Sequence, residues 1–194
     1  MKKVVLIGDS IRIGYCEYVK EKYEEIAEVF YPNENCRFTT YVLLNLDYWK
    51  ESMGCGDDVD CVHWNAGLWD VSERYHDGCL VPLEFYKDNV DRICRRIKLL
   101  FPNAKMIFAT STPVAELQYE KPYVFCRHNS NIEAYNAAAV EIVKKHGGEI
   151  NDLYGLLKEA PIEYHSDATH YSTDKATEVL GNQVFSAISQ SLNI

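Results

Sequence analysis

The sequence predicts an α/β fold, a three-layer α/β/α sandwich built on a parallel sheet. Short apolar runs at Lys3 to Gly8, Ala27 to Tyr31, Val59 to Asn65, Lys105 to Thr110 and, more weakly, Gly148 to Asn151 read as strands. These runs are continuously apolar instead of alternating with polar residues, as expected of strands buried on both faces. Helical patterns lie between them, and that alternation favours parallel strands whose crossover helices cover the sheet.

Taken in order, Val4-Val5-Leu6-Ile7 follows Met1-Lys2-Lys3 and has the outward form of a leader peptide. The run stops at Gly8-Asp9, too short for a leader's apolar core, so it is expected to be a buried first strand. Helices are expected over Tyr15 to Glu25 and Thr40 to Glu51. The clearest helix carries Leu83, Tyr86, Val90, Ile93, Ile97 and Leu100 at steps of three and four, which line one face. Pro82 suits its start, and Pro102 lies beyond its end. A second stripe, Ile132, Tyr135, Ala139, Ile142 and Val143, is closed by Gly147-Gly148. The last helix is expected to begin near Ser172 or Thr173, where a hydroxyl can accept from a first-turn amide, and to run through Val179, Leu180, Val184 and Ile188.

The chain has 194 residues, 47% of them hydrophobic, enough for one good core. With no internal repeat, low-complexity tract or linker, residues 1–194 are expected to form a single domain. The 29 acidic against 20 basic residues give a net charge of −9, which argues against a nucleic-acid partner. No segment approaches the roughly 20 apolar residues that span a bilayer, so no membrane partner is expected. Seven cysteines (Cys16, Cys36, Cys55, Cys61, Cys79, Cys94 and Cys126) are scattered, with no C-x-x-C pair and no nearby histidines read as standing at zinc-ligand spacing. They read as reduced structural thiols of a cytoplasmic protein, and no metal is expected.

A parallel sheet binds ligands beyond the carboxyl ends of its strands. The loops that matter are therefore Gly8 to Gly14, Asn65 to Val71 and Ser111 to Val114, with His165 to His170 able to reach the same edge. Ser10 follows a strand and a tight turn, where a hydroxyl can project into a cleft. To act as a nucleophile it needs a base and a group that orients the base. Asp167 and His170, three residues apart, can supply both, the carboxylate taking Nδ1–H and leaving Nε2 for the serine. Both positions also have plain structural readings: Asp9 or Ser10 as the cap of the following helix, and Asp167 as the cap of the last one.

Val5-Leu6-Ile7-Gly8-Asp9-Ser10 resembles the first block of the SGNH (GDSL-type) hydrolases, and Asp167-Ala168-Thr169-His170 resembles their last block. The resemblance implies a flavodoxin-like sheet of about five parallel strands in the order 2-1-3-4-5. It also implies ester hydrolysis through an acyl-enzyme on Ser10, Asp167 and His170, a small-molecule ester as partner, and no cofactor. The middle blocks depart from the family. Where it has G-x-N-D, this chain reads Gly67-Leu68-Trp69-Asp70, preceded by Asn65-Ala66. Either the Trp69 indole or Asn65 could replace the missing Asn as an oxyanion donor, with Asn65 preferred. The second block, Asn35-Cys36-Arg37-Phe38-Thr39-Thr40, lacks the family's glycine, and the Cys36 amide is the expected substitute. Ser10, Cys36, Asn65 and Gly67 are thus the expected oxyanion hole, and Arg12, Arg37 and Trp69 the candidate substrate contacts. Trp64, Tyr15 and Tyr171 are expected mainly in the core. His63 and His165 would compete with His170 only if the Asp167 spacing were coincidental.

A small-acyl esterase, with deacetylation of a carbohydrate foremost, is the leading expectation. The same residues would serve a thioesterase or an acyltransferase. A catalytically weak binding module on the same fold is the alternative from another class. A flavin or nucleotide binder fits the strand pattern but lacks a glycine-rich phosphate loop.

Overall fold

The computed structural model describes residues 1–194. Its strands are β1 (Lys2–Ile7), β2 (Ala27–Phe30), β3 (Cys61–Trp64), β4 (Lys105–Ala109) and β5 (Glu149–Asn151). They form one sheet in the order β2-β1-β3-β4-β5, every pair parallel, as expected. The helices are α1 (Ser10–Lys22), α2 (Thr39–Ser52), α3 (Leu83–Leu100), α4 (Asn129–Lys145), a short α5 (Leu153–Leu157) and α6 (Asp174–Leu192). α1 packs on α6 over one face, and α2, α3 and α4 pack in succession over the other, the two sides that right-handed crossovers dictate. Val4 to Ile7 of β1 and Cys61 to Trp64 of β3 are all at most 1% exposed, which explains why both are apolar on both faces except at His63, whose Nε2 is bonded to Asn151. No helix is long and apolar enough to cross a membrane.

α1 starts at Ser10, ahead of the expected Tyr15, because the Asp9 side chain caps it and accepts from the Ile11 amide at 3.0 Å. α6 is capped by Thr173, whose hydroxyl accepts from the Ala176 amide at 3.3 Å. Between β4 and α4 runs a long connection, residues 110–128, with one turn of 3-10 helix at Glu116–Gln118. Loops of that length inside a compact fold are usually functional.

The carboxyl edge of the sheet is held by buried polar bonds. Asp70, in the loop after β3, accepts from the Thr39 amide at 3.1 and 3.2 Å and from the Thr39 hydroxyl at 2.5 Å. Asn89 of α3 donates to the same hydroxyl at 3.0 Å, so one carboxylate ties α2, α3 and the β3 loop together. Burial pushes the Asp70 carboxyl up to about 7, against the opposing pull of the Thr39 bonds.

A folded-state pKa above the unfolded value means that Asp70 contributes stability that is full below about pH 4 and lost as pH rises through 7. The loss has a limiting slope of about 1.4 kcal/mol per pH unit. Asp70→Asn stays neutral and still offers an acceptor to Thr39, so its urea-unfolding free energy is expected to fall less than the wild type's between pH 4 and 8. Equal slopes for the two proteins would show that Asp70 does not titrate in this range.

Candidate active site

β1 delivers the chain to the turn Gly8-Asp9, and α1 starts at the next residue. Position 8 has to be glycine: a β-carbon there would collide with the Asn65 amide and approach Arg12 Cβ to 2.7 Å. Asp9 is wholly buried, and its Oδ1 accepts from both the Ile11 amide and Asn65 Nδ2 at 3.0 Å. Burial holds its carboxyl above the ordinary range despite those bonds. Because Asp9 does the capping, the Ser10 hydroxyl is free to face the cleft. The Ser10 amide belongs to the first turn and has no acceptor within its helix.

At the other end of the chain, Asp167 Oδ1 accepts from the amides of Thr169 at 2.7 Å and His170 at 2.8 Å, closing a tight turn. Its other oxygen lies 2.7 Å from His170 Nδ1. Burial alone would raise this carboxyl, but the bonds from the His170 ring and the two amides outweigh it and hold the carboxyl below its ordinary value. The turn is fastened by the Ser166 amide donating to the His170 carbonyl at 2.8 Å and the Ala115 amide donating to the Ala168 carbonyl at 2.9 Å. With Thr173 capping α6, Asp167 is not a helix cap.

These two ends meet. His170 Nε2 lies 2.9 Å from Ser10 Oγ across a separation of 160 residues. A carboxylate on Nδ1 and a hydroxyl on Nε2 fix the imidazole tautomer that can remove the serine proton and then carry positive charge. His63 is elsewhere: it sits inside β3, fully buried, with Nε2 accepting from Asn151 at 3.1 Å, and burial lowers its pKa to about 3. His165 packs on Tyr171, ring centroids 4.1 Å apart.

Ser10 and His170 open onto a cleft of about 590 Å³. Trp69, Tyr119 and Phe125 supply its aromatic surface, and Arg74, Arg127 and Glu120 its charges. A second depression of about 450 Å³ lies away from these residues, between β2 and α2 near Tyr31 and Trp49.

Several expected site residues lie outside the cleft. The Cys36 amide donates to the Gly8 carbonyl at 3.1 Å and its side chain is fully buried, so it is not an open donor. The glycine-like position is the next one: Arg37 has φ 51°, a left-handed conformation that glycine adopts without strain, and its amide bonds Asn35 Oδ1 at 2.8 Å. The exposed Arg37 guanidinium stacks over Tyr41 at 5.0 Å instead of entering the cleft. Arg12 is 2% exposed and donates to the carbonyls of Gly8 and Glu34, which makes it a clamp on that loop and not a substrate contact. Asn65, 3% exposed, is held beneath the turn by Asp9, contrary to the preference for it as oxyanion donor. Gly67, φ 154°, is pressed against Ser111 and Tyr86, where a β-carbon would not fit, and it forms no part of the cleft wall. Trp69, at the position of the missing Asn, does line the cleft beside Ser10. Trp64, Tyr15 and Tyr171 belong to the core.

Sequence reasoning missed the wall contributed by residues 118–127. Arg127 is its anchor, 5% exposed, donating to the Leu68 carbonyl and to Thr169 Oγ1 at 3.0 Å. It thereby ties the loop before Trp69 to the turn before His170, while its guanidinium stacks on Phe125 at 4.8 Å. The unusual length of the connection after β4 was the available signal.

No family model matches the sequence. Among curated proteins it is similar to the GDSL esterase/lipase CPRD49 of Arabidopsis thaliana, 26% identical over 158 residues covering 79% of this chain. That alignment spans 55% of the plant protein, so the chain matches about half its length. Among solved structures, the lipase/acylhydrolase from Enterococcus faecalis superposes with a TM-score of 0.78 at 21% identity, covering 98% of this chain and 96% of that one. The acetyl xylan esterase AlAXEase superposes with a TM-score of 0.74 at 16% identity, covering 96% and 99%. At these identities the two superpositions establish the shared fold.

Arg127→Met leaves the buried Leu68 carbonyl and the Thr169 hydroxyl without their charged donor. At about 1.5–3 kcal/mol for each of these two bonds, the variant is expected to lose about 3–6 kcal/mol of unfolding free energy. Urea denaturation measures this, and an unchanged midpoint would show that the tie contributes nothing.

Proposed function

We propose that this chain, a member of the SGNH (GDSL-type) hydrolase family, is a serine esterase acting on carboxylic esters of small acyl groups. The observation that carries the reading is the hydrogen-bonded relay from Asp167 through His170 to Ser10. In this reading His170 Nε2 takes the Ser10 proton as Oγ attacks the ester carbonyl, and Asp167 stabilises the resulting imidazolium. The Ser10 amide and the Trp69 indole N–H are the donors for the developing oxyanion. His170 then returns the proton to the departing alcohol. Water, activated the same way, releases the acid from the acyl-enzyme.

Deacetylation of a carbohydrate is the preferred substrate class. Its support is the character of the cleft: Trp69, Tyr119 and Phe125 offer faces for a sugar ring, and Arg74, Gln118, Glu120 and Thr169 offer partners for hydroxyls. A long acyl chain would need a more continuous apolar wall. One structural neighbour, described as an acetyl xylan esterase, handles an ester of that class.

The test is turnover of p-nitrophenyl acetate together with mass-spectrometric location of a fluorophosphonate adduct. The adduct is expected on Ser10, and Ser10→Ala is expected to lose at least about 10³-fold in kcat. Asp167→Asn keeps an acceptor for the Thr169 and His170 amides but cannot stabilise the imidazolium, and a loss of about 10⁴ is expected. Full activity in Ser10→Ala would end the esterase reading.

Trp69→Phe separates the indole donor from the aromatic surface. It is expected to lower kcat on p-nitrophenyl acetate by about 10²–10³ with little change in KM. An unaltered kcat would move the oxyanion donor elsewhere.

A further inference from the structure

Behind the cleft wall, on the strap made of residues 72–81 and 123–128 that carries Arg74, Phe125 and Arg127, three chemically distinct side chains outside the cleft lining come together. Glu73 and Cys126 are opposite one another in an antiparallel pair, Glu73 N–H donating to the Cys126 carbonyl at 2.9 Å and Cys126 N–H to the Glu73 carbonyl at 3.0 Å. Opposed residues in such a pair project to the same face, and the second residue onward in extended chain returns to it. His128, at φ −115° and ψ 132°, is extended and stands two residues after Cys126. The backbone therefore sends a carboxylate, a thiol and an imidazole to one place. Their ligand atoms lie within 4.8 Å of one another.

The imidazole is already oriented. His128 Nδ1 pairs with Glu116 Oε2 at 3.0 Å, and Nε2 faces Cys126 Sγ at 3.5 Å. The other Glu116 oxygen accepts from the Asn129 amide at 2.7 Å, which anchors that carboxylate at the start of α4. A carboxylate on the far nitrogen is the usual outer support of a metal-binding histidine. Tetrahedral coordination at ordinary zinc bond lengths separates a sulfur from a nitrogen ligand by about 3.6 Å. The spacing seen between Cys126 and His128 matches it.

We propose that Glu73, Cys126 and His128 form a binding site for a borderline-soft divalent transition metal, zinc above all, which pins the strap against the start of α4. One thiolate, one imidazole and one carboxylate suit zinc and not magnesium or calcium, which take all-oxygen sets. Water completes the fourth position. Binding is a ligand exchange without redox change: the Cys126 thiol gives its proton to solvent as the sulfur–metal bond forms. The strap matters to the cleft because Arg127, between the two ligands Cys126 and His128, holds the Leu68 carbonyl and Thr169. The site is independent of the esterase reading.

The test uses the whole protein, stripped with a chelator and titrated with cobalt(II) alone. A thiolate-to-cobalt charge-transfer band with tetrahedral ligand-field absorption is expected to saturate at one metal per chain and to be displaced by zinc. Glu116→Gln is expected to keep the band but weaken binding by about 10–100-fold, while Cys126→Ser abolishes the band. Loading should also slow hydrogen exchange of the amides in 72–81 and 123–128. Absence of a charge-transfer band, or one that survives Cys126→Ser, would overturn the proposal. If circular dichroism shows Cys126→Ser to be unfolded, His128→Gln replaces it, and affinity reduced less than tenfold in that variant counts equally against the site.

Discussion

A hydroxyl and an imidazole separated by 160 residues have to meet within 2.9 Å, and most of the polar structure at the carboxyl edge of the sheet serves that meeting. Neither side chain could hold the position alone. Ser10 depends on a turn in which Gly8 admits Asn65 and Asp9 takes over the capping of α1. His170 depends on a turn closed by Asp167, whose carboxylate serves two amides and the ring together. The sheet brings the two turns to one edge, because β1 ends there and the segment leading into α6 passes the same side.

Buried polar groups supply the rigidity. Asp70 gathers Thr39 and, through it, Asn89, while Arg127 joins the Leu68 carbonyl to Thr169 and Arg12 clamps the carbonyls of Gly8 and Glu34. Each such group would be costly to bury without its partners, so each fixes one arrangement of loops instead of a family of them. The same logic explains why Arg12, expected as a substrate contact, and Cys36 and Asn65, expected as oxyanion donors, serve the scaffold instead. Arg12, Cys36 and Asn65 lie close to Ser10 in the fold, yet the terminal nitrogens of Arg12, the Cys36 amide and Asn65 Nδ2 are committed to partners within the protein. Trp69 and the wall from 118 to 127 face the cleft.

The strap shows how local geometry creates chemistry that linear spacing conceals. Cys126 and His128 alone are an unremarkable pair, and Glu73 is far from them in the chain. An antiparallel register puts all three on one face, and Glu116 turns the imidazole toward the others. A metal there would stiffen the outer wall of the cleft through Arg127.

The sequence by itself determined the layered α/β architecture, the five strands and their parallel character, because apolar runs and helical stripes are local patterns that report burial directly. It also pointed to Ser10, Asp167 and His170, since two short motifs at opposite ends carry the residue types that acyl transfer requires. Only the tertiary structure decided which neighbours face the cleft: that Asp9 and not Ser10 caps α1, that Cys36 gives its amide to Gly8, that Arg37 occupies the glycine-like conformation, and that Arg127 anchors the far wall. These outcomes depend on which donor finds which acceptor across loops distant in sequence, and on backbone angles set by packing. Neither quantity is written in the spacing of residues along the chain.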